Sequence, residues 1–294
     1  MSREAEGARA GAEAWAVRAA RRVEARLAAR SHWWSPLDRG VLLTVRTDYR
    51  ERQLSAAFTV NTVDAAGAPR RVAQARGSGR PLMILPGLYA GLNEGLFAVI
   101  AELAAQRGRA VLLVEDRLAA GTLALTGGEV PSLQRIGLEL AALARTLGGQ
   151  PDVLALSAGA AAALAAPPGT FARIATWSGA LDLWATAENL ARHLMPRFHY
   201  AQVHKRAFRG AGLAAPPLAS IPARLSAGAP CGLPPDPLLI VHAEDDPVVP
   251  ASAVAGLSLD DGQTVLVAPA GAHLGFGTLV GVDVYLTPFE EEPD

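Results

Sequence analysis

PDVLALSAGAAAAL, residues 151–164, decides how the rest of the chain is read. Four apolar residues, Val153–Leu156, form a short continuous run of the kind a strand buried on both faces shows. Ser157 follows at once, and Ala158-Gly159 opens an Ala-rich helical stretch. Strand, tight turn and helix in this order are the layout of a nucleophile elbow. Its geometry requires small residues two before and two after the serine, and Ala155 and Gly159 stand there. Such a turn exposes the hydroxyl at a helix N-terminus and leaves the Ala158 N–H aimed at a substrate oxygen. Alone, the pattern also describes a serine that merely caps a helix after a buried strand.

Outward from this segment the chain alternates short apolar runs with helical stretches. The runs are Leu82–Leu85, Ala110–Val114, Val153–Leu156, Ile174–Trp177, Leu238–Val241 and Thr264–Val267, and helices are expected over 92–106, 132–147, 158–166 and 251–257. This alternation predicts an α/β fold, a mostly parallel, doubly wound sheet with right-handed crossovers. Upstream, 41–50 and 55–63 alternate as strands, and 64–80 reads as a polar connection. The crossover from Ile174–Trp177 to Leu238–Val241 is far longer than the others. Its residues, about 183–236, are expected to form a small lid over the carboxyl edge of the sheet, where such folds bind ligands.

Two further strand ends carry chemistry. LLIVHAEDDPVVP (238–250) runs a buried strand into Asp245-Asp246 and a Pro turn, and TVLVAPAGAHLGF (264–276) runs the next into a loop holding His273. The order Ser157, Asp246, His273, each just beyond a strand end, is that of a hydrolase triad. In it the histidine takes the serine proton and the acid fixes the imidazole tautomer. Asp246 is preferred as the acid, with Asp245 beside it and Asp182 a distant third. A second oxyanion donor is expected in LPGLYAGLNEG (85–95), at the N–H of Leu88, paired with that of Ala158. Tyr89, Trp177 and Trp184 are candidates to line an acyl pocket, with Phe198, Leu194, Met195 and Tyr200 open between pocket and core. His193, His199 and His204 read as lid-surface residues, and Asp116-Arg117 as a salt-bridged loop anchor.

Composition narrows the rest. The chain has 294 residues, half of them hydrophobic, and a net charge of −1, which suits a globular protein with a large core and excludes disordered and disulfide-stapled classes. A single cysteine, Cys231, fits a reducing compartment and removes Cys-rich metal sites. No metal site is expected, and a nucleotide-binding fold is disfavoured because the Gly-rich phosphate signatures are absent and Lys205 is the only lysine. No apolar run is long enough to span a membrane, and the first residues do not read as a secretory signal, so a cytoplasmic location is expected. Residues 1–80 hold 15 arginines against 8 acids. Residues 1–40 are expected to be a helical arm in front of a 41–294 domain. Trp15, Ala19, Val23 and Leu27 form an apolar stripe opposite Arg18, Arg21, Arg22, Arg26 and Arg30. Docking on the protein's own acidic body is the preferred reading, with peripheral membrane contact through Trp33 and Trp34 the lesser one and nucleic acid disfavoured.

The chain resembles the α/β-hydrolase superfamily over about 41–288. HAEDDPVVP (242–250) and AGAHLGF (270–276) are similar to the His-Ala-x-Asp-Asp-Pro and Gly-Gly-His-x-Gly-Phe stretches of its YheT-type, embryogenesis-associated branch. That resemblance implies a cofactor-free serine esterase acting on a small-molecule acyl ester, with Ser157, Asp246 and His273 as triad and Leu88 and Ala158 as oxyanion donors. Pro86-Gly87 stands where the branch has His-Gly, Ala155 where the elbow has its first Gly, and the lid is shorter. Acyl transfer on the same triad and a non-catalytic binding module are the alternatives. Oligomeric state is not legible.

Overall fold

The computed structural model describes residues 3–29, 52–192, 194–226 and 233–290. The strand expected over 41–50, Trp33, Trp34, His193 and Cys231 lie outside them. Eight strands form one sheet in the order β1-β2-β4-β3-β5-β6-β7-β8. They are β1 (Phe58–Ala65), β2 (Ala68–Ala75), β3 (Ser78–Leu85), β4 (Arg109–Val114), β5 (Asp152–Leu156), β6 (Arg173–Trp177), β7 (Leu238–Ala243) and β8 (Gln263–Ala268). β1 and β2 pair antiparallel, as do β2 and β4, and every other pair is parallel. The six apolar runs read from the sequence are β3 to β8. All five residues of β5 and all six of β7 are buried, so helices cover both faces of the sheet.

The segment around 64–80 differs from expectation. The polar connection 64–80 is instead most of a hairpin, with β1 ending two residues later than predicted. Ala66 and Gly67, both at positive φ, form the two-residue turn between Ala65 and Ala68. β2 escapes a pattern search because its inward-facing Arg70 is charged. In the fold that arginine is 2% exposed and bonded to Glu139 at 3.1 Å and to the Glu115 carbonyl at 2.9 Å.

The helices are α1 (Arg3–Ala28), α2 (Gly95–Gln106), α3 (Ala120–Leu125), α4 (Leu133–Thr146), α5 (Ala158–Leu164), α6 (Leu183–Arg192), α7 (Leu194–Gly210), α8 (Ser220–Ser226), α9 (Ser252–Ala255) and α10 (Phe276–Val280). A 3-10 segment, Val282–Phe289, closes the described chain. α6, α7 and α8 occupy the long β6–β7 crossover. Ser132 caps α4 by accepting the Arg135 N–H at 3.3 Å. α1 buries Trp15, Ala19, Val23 and Leu27 against β7, β8 and the 3-10 segment. Arg26 bonds Thr287 and pairs with Asp283, and the Trp15 indole donates to the Pro288 carbonyl at 3.1 Å. Among the described residues no helix is long and apolar enough to cross a membrane.

Candidate active site

β3, β5, β7 and β8 are parallel, so their carboxyl ends open on one edge of the sheet. Ser157 leaves β5 with φ 53° and ψ −122°, a strained conformation for a residue with a side chain, and its own N–H donates to the Trp177 carbonyl at 3.0 Å. α5 then approaches β3 so closely that a Cβ on Gly159 would lie 2.4 Å from the Leu85 carbonyl oxygen and 2.5 Å from that of Pro86. Only glycine fits there, which is the small-residue requirement of the elbow in atomic terms. Gly87, on the facing loop, has room for no more than close contact with Ser157 Cβ, 3.3 Å from where its own Cβ would be.

His273 comes from the loop after β8 and is 1% exposed. Its Nε2 lies 2.9 Å from Ser157 Oγ and its Nδ1 3.0 Å from Asp246 Oδ2. With the proton on Nδ1, the imidazole donates to Asp246 and accepts from the serine hydroxyl. The flanking Ala272 and Leu274 both have positive φ, and Ser178 secures the loop by bonding the Ala272 carbonyl and the Leu274 N–H.

The two adjacent acids divide the work. Asp246 Oδ1 accepts the N–H groups of Val248 and Val249 at 2.8 and 2.9 Å, leaving Oδ2 for His273. Asp245 instead accepts the N–H groups of Gly271 and Ala272 at 2.9 and 2.8 Å, holding the loop that carries the histidine. Burial alone would push the Asp246 carboxyl up. The His273 imidazole, its hydrogen bond, His242 and the Val249 N–H together outweigh burial and hold it below the ordinary carboxylate range. Asp182, the third candidate, accepts the N–H groups of Trp184 and Ala185 and caps α6.

Neither the Leu88 nor the Ala158 N–H has a hydrogen-bond partner among the described residues. The loop carrying Leu88 is fixed one residue further on. Tyr89, at φ 68°, donates its N–H to Asp116 Oδ1 at 2.7 Å, and the same oxygen accepts from Leu118 at 3.0 Å. Asp116 is thus a loop anchor, but through backbone amides and not through the expected salt bridge. Arg117 pairs with Glu129 and Glu139. Burial pushes the Asp116 carboxyl up to about 6, against the opposing pull of the Tyr89 and Leu118 N–H groups and Arg70.

A cavity of about 120 Å³ opens on Ser157 and His273. Its walls come from the Gly87–Ala90 loop, Glu94, Phe97 and Leu274, and from α7 through His199, Tyr200, Val203 and Arg206. The three predicted pocket residues are not among them. Trp177 is fully buried on the far side of β6, edge-on to Phe276 and Tyr285, because a strand residue facing away from the loop edge packs into the core. Trp184 is 53% exposed on α6. Tyr89 is buried with its hydroxyl 2.8 Å from His204 Nδ1, and His204 Nε2 reaches the Pro216 carbonyl at 2.8 Å. That carbonyl requires the proton on Nε2, so Tyr89 donates to Nδ1. His204 is therefore a buried link between loop and lid, not a lid-surface residue. Tyr200, which the sequence leaves open between pocket and core, faces the cavity with its ring 6.5 Å from that of His273. No group of three His, Cys, Asp or Glu side chains able to hold a metal occurs among the described residues.

Sheet order, elbow and strand-end site together define the α/β-hydrolase fold, and solved structures agree. An epoxide hydrolase from Vigna radiata is similar with a TM-score of 0.53 and 14% identity, covering 81% of this chain and 98% of its own. Est1E from Butyrivibrio proteoclasticus, with ferulic acid bound, gives 0.52 and 12%, covering 78% and 96%. Alpha/beta hydrolase domain-containing protein 10 from mouse gives 0.50 and 15%, covering 79% and 96%. No family model matches the sequence, and no curated protein matches it.

Proposed function

We propose that the protein is a serine hydrolase that cleaves a carboxylic ester through an acyl-enzyme. The single observation behind this reading is His273 bridging Ser157 Oγ and Asp246 Oδ2 at hydrogen-bond distance on both ring nitrogens. As His273 Nε2 takes the hydroxyl proton, Ser157 Oγ bonds the ester carbonyl carbon. Asp246, held as a carboxylate, stabilises the imidazolium. The oxyanion accepts from the Leu88 and Ala158 N–H groups, each such donor being worth about 3 kcal/mol in known cases. Collapse breaks the bond to the alcohol, which leaves with the His273 proton. Water, deprotonated by the same nitrogen, then releases the acid and restores Ser157. The ester as substrate, and membership of the YheT-type branch, rest on HAEDDPVVP and AGAHLGF.

A fluorophosphonate probe tests the nucleophile. Wild type is expected to be labelled and Ser157→Ala to be unlabelled, with p-nitrophenyl acetate turnover lost in parallel. Labelling that persists in Ser157→Ala, or a folded wild type that neither labels nor turns over the ester, overturns the reading.

A further inference from the structure

We infer that the cavity over Ser157 receives an ester bearing a carboxylate, held by the Arg206 guanidinium at the end remote from the serine. The inference rests on the hydrolase reading of Ser157 and names its substrate class. His199, Val203 and Arg206 recur at helical spacing on α7, and with Tyr200 they form the face of that helix that lines the cavity. Residues 199 and 206 are two turns apart, about 10 Å along the axis, so the face runs from the His273 end to a cationic end.

The charge at that end is uncommitted. Arg70, Arg71, Arg109, Arg117 and Arg173, on and around the sheet, are each ion-paired. Arg206 is exposed at the cavity, has no hydrogen bond or ion pair among the described residues, and shares the cavity lining with Glu94. A guanidinium stays protonated at any working pH and presents a planar fork that matches a carboxylate with two parallel hydrogen bonds. His199 adds no second fixed charge. Burial, then Arg206 and His273, push its pKa down, so the ring is neutral at neutral pH.

Matched esters test this. p-Nitrophenyl hydrogen glutarate against its methyl ester places the carboxylate on the acyl side. 4-Acetoxybenzoate against methyl 4-acetoxybenzoate places it on the alcohol side. Wild type is expected to prefer the anionic member of at least one pair by tenfold or more in kcat/KM. Arg206→Gln should bring that ratio close to one, and Arg206→Lys should keep part of it, which separates charge from packing. No preference in either pair, or a preference that survives in Arg206→Gln, overturns the inference. A calorimetric titration of Ser157→Ala with glutarate reads the anion site independently of turnover. Binding that is lost on adding Arg206→Gln supports the inference even if the hydrolase reading fails. Absence of binding to Ser157→Ala overturns it even if Ser157 labels normally.

Discussion

At the scale of single residues, Asp116 shows how burial is used against itself. Its carboxyl is drawn into the loop between β4 and α3 to hold the Tyr89 and Leu118 N–H groups, and burial raises it to about 6 from an ordinary 3.8. A group whose folded pKa is raised contributes stability that is complete below the unfolded value and is lost as pH rises through the folded one. Between about pH 4 and 6 the wild type should therefore lose stability relative to Asp116→Asn, which keeps the accepting oxygen and has no proton to lose. The difference in urea-unfolding free energy should grow across that window by on the order of 1–3 kcal/mol and level off above it. A difference that stays constant from pH 4 to 7 would show that Asp116 does not titrate there. The residues legible in advance were those set by local chain geometry. Ser157 and His273 each follow a buried run directly, and Gly159 is required by contact with the next strand. Sequence favours Asp246 over Asp245 only through the adjacent Pro247, because both acids follow β7. The direction each carboxylate takes, one to the His273 ring and one to its loop, tells them apart physically.

At the scale of elements, the α6–α8 insertion is tied to the Gly87–Ala90 loop through one side chain. Tyr89 carries its N–H to Asp116 and its hydroxyl to His204 of α7, which in turn holds the Pro216 carbonyl. Tyr89→Phe removes one donor and leaves the Nδ1 of a histidine 3% exposed without a partner, at a cost of about 1–3 kcal/mol. Because α7 has few other polar ties to the sheet among the described residues, the cost should be felt locally. Amide exchange in α7 is expected to accelerate about tenfold or more while exchange in β5 is unchanged. Equal exchange in α7 of both proteins would remove the coupling. Sequence patterning places the six parallel strands and the insertion, since continuous apolar runs can be little else in a chain so regularly punctuated. It fails for β2, where Arg70 takes a core position by pairing with Glu139. It also fails for the cavity face of α7, where His199, Tyr200, Val203 and Arg206 mix polar and apolar residues as a solvated face would. A periodicity search registers burial; it does not register a polar wall turned toward a cavity.

At the scale of the whole molecule, α1 and the closing 3-10 segment pack together at the end of the sheet remote from Ser157. Trp15 stacks on Phe289 with ring centroids 6.2 Å apart, and the Arg173 guanidinium lies 5.5 Å from the first ring centroid and 5.8 Å from the second. Arg173 also bonds Asp152 at 2.8 Å, and Asp152 is the buried first residue of β5, paired again with Arg109 at 2.7 Å. Four further strand residues, a rise of about 17 Å from Asp152, then separate this cluster from Ser157. α1 thus closes the core at one end of β5 while Ser157 and its cavity lie at the other. Truncating Trp15 to alanine removes a buried indole and its bond to the Pro288 carbonyl, a change that costs about 3–5 kcal/mol when the surroundings cannot collapse. Because the cluster is a strand's length from the elbow, the loss should appear in stability and not in chemistry. Trp15→Ala is expected to lower the urea midpoint sharply while its folded fraction reacts with the fluorophosphonate at the wild-type rate. An unchanged midpoint would mean that α1 leaves the sheet in solution. A slowed reaction at full stability would mean that the strand transmits what the fold here separates.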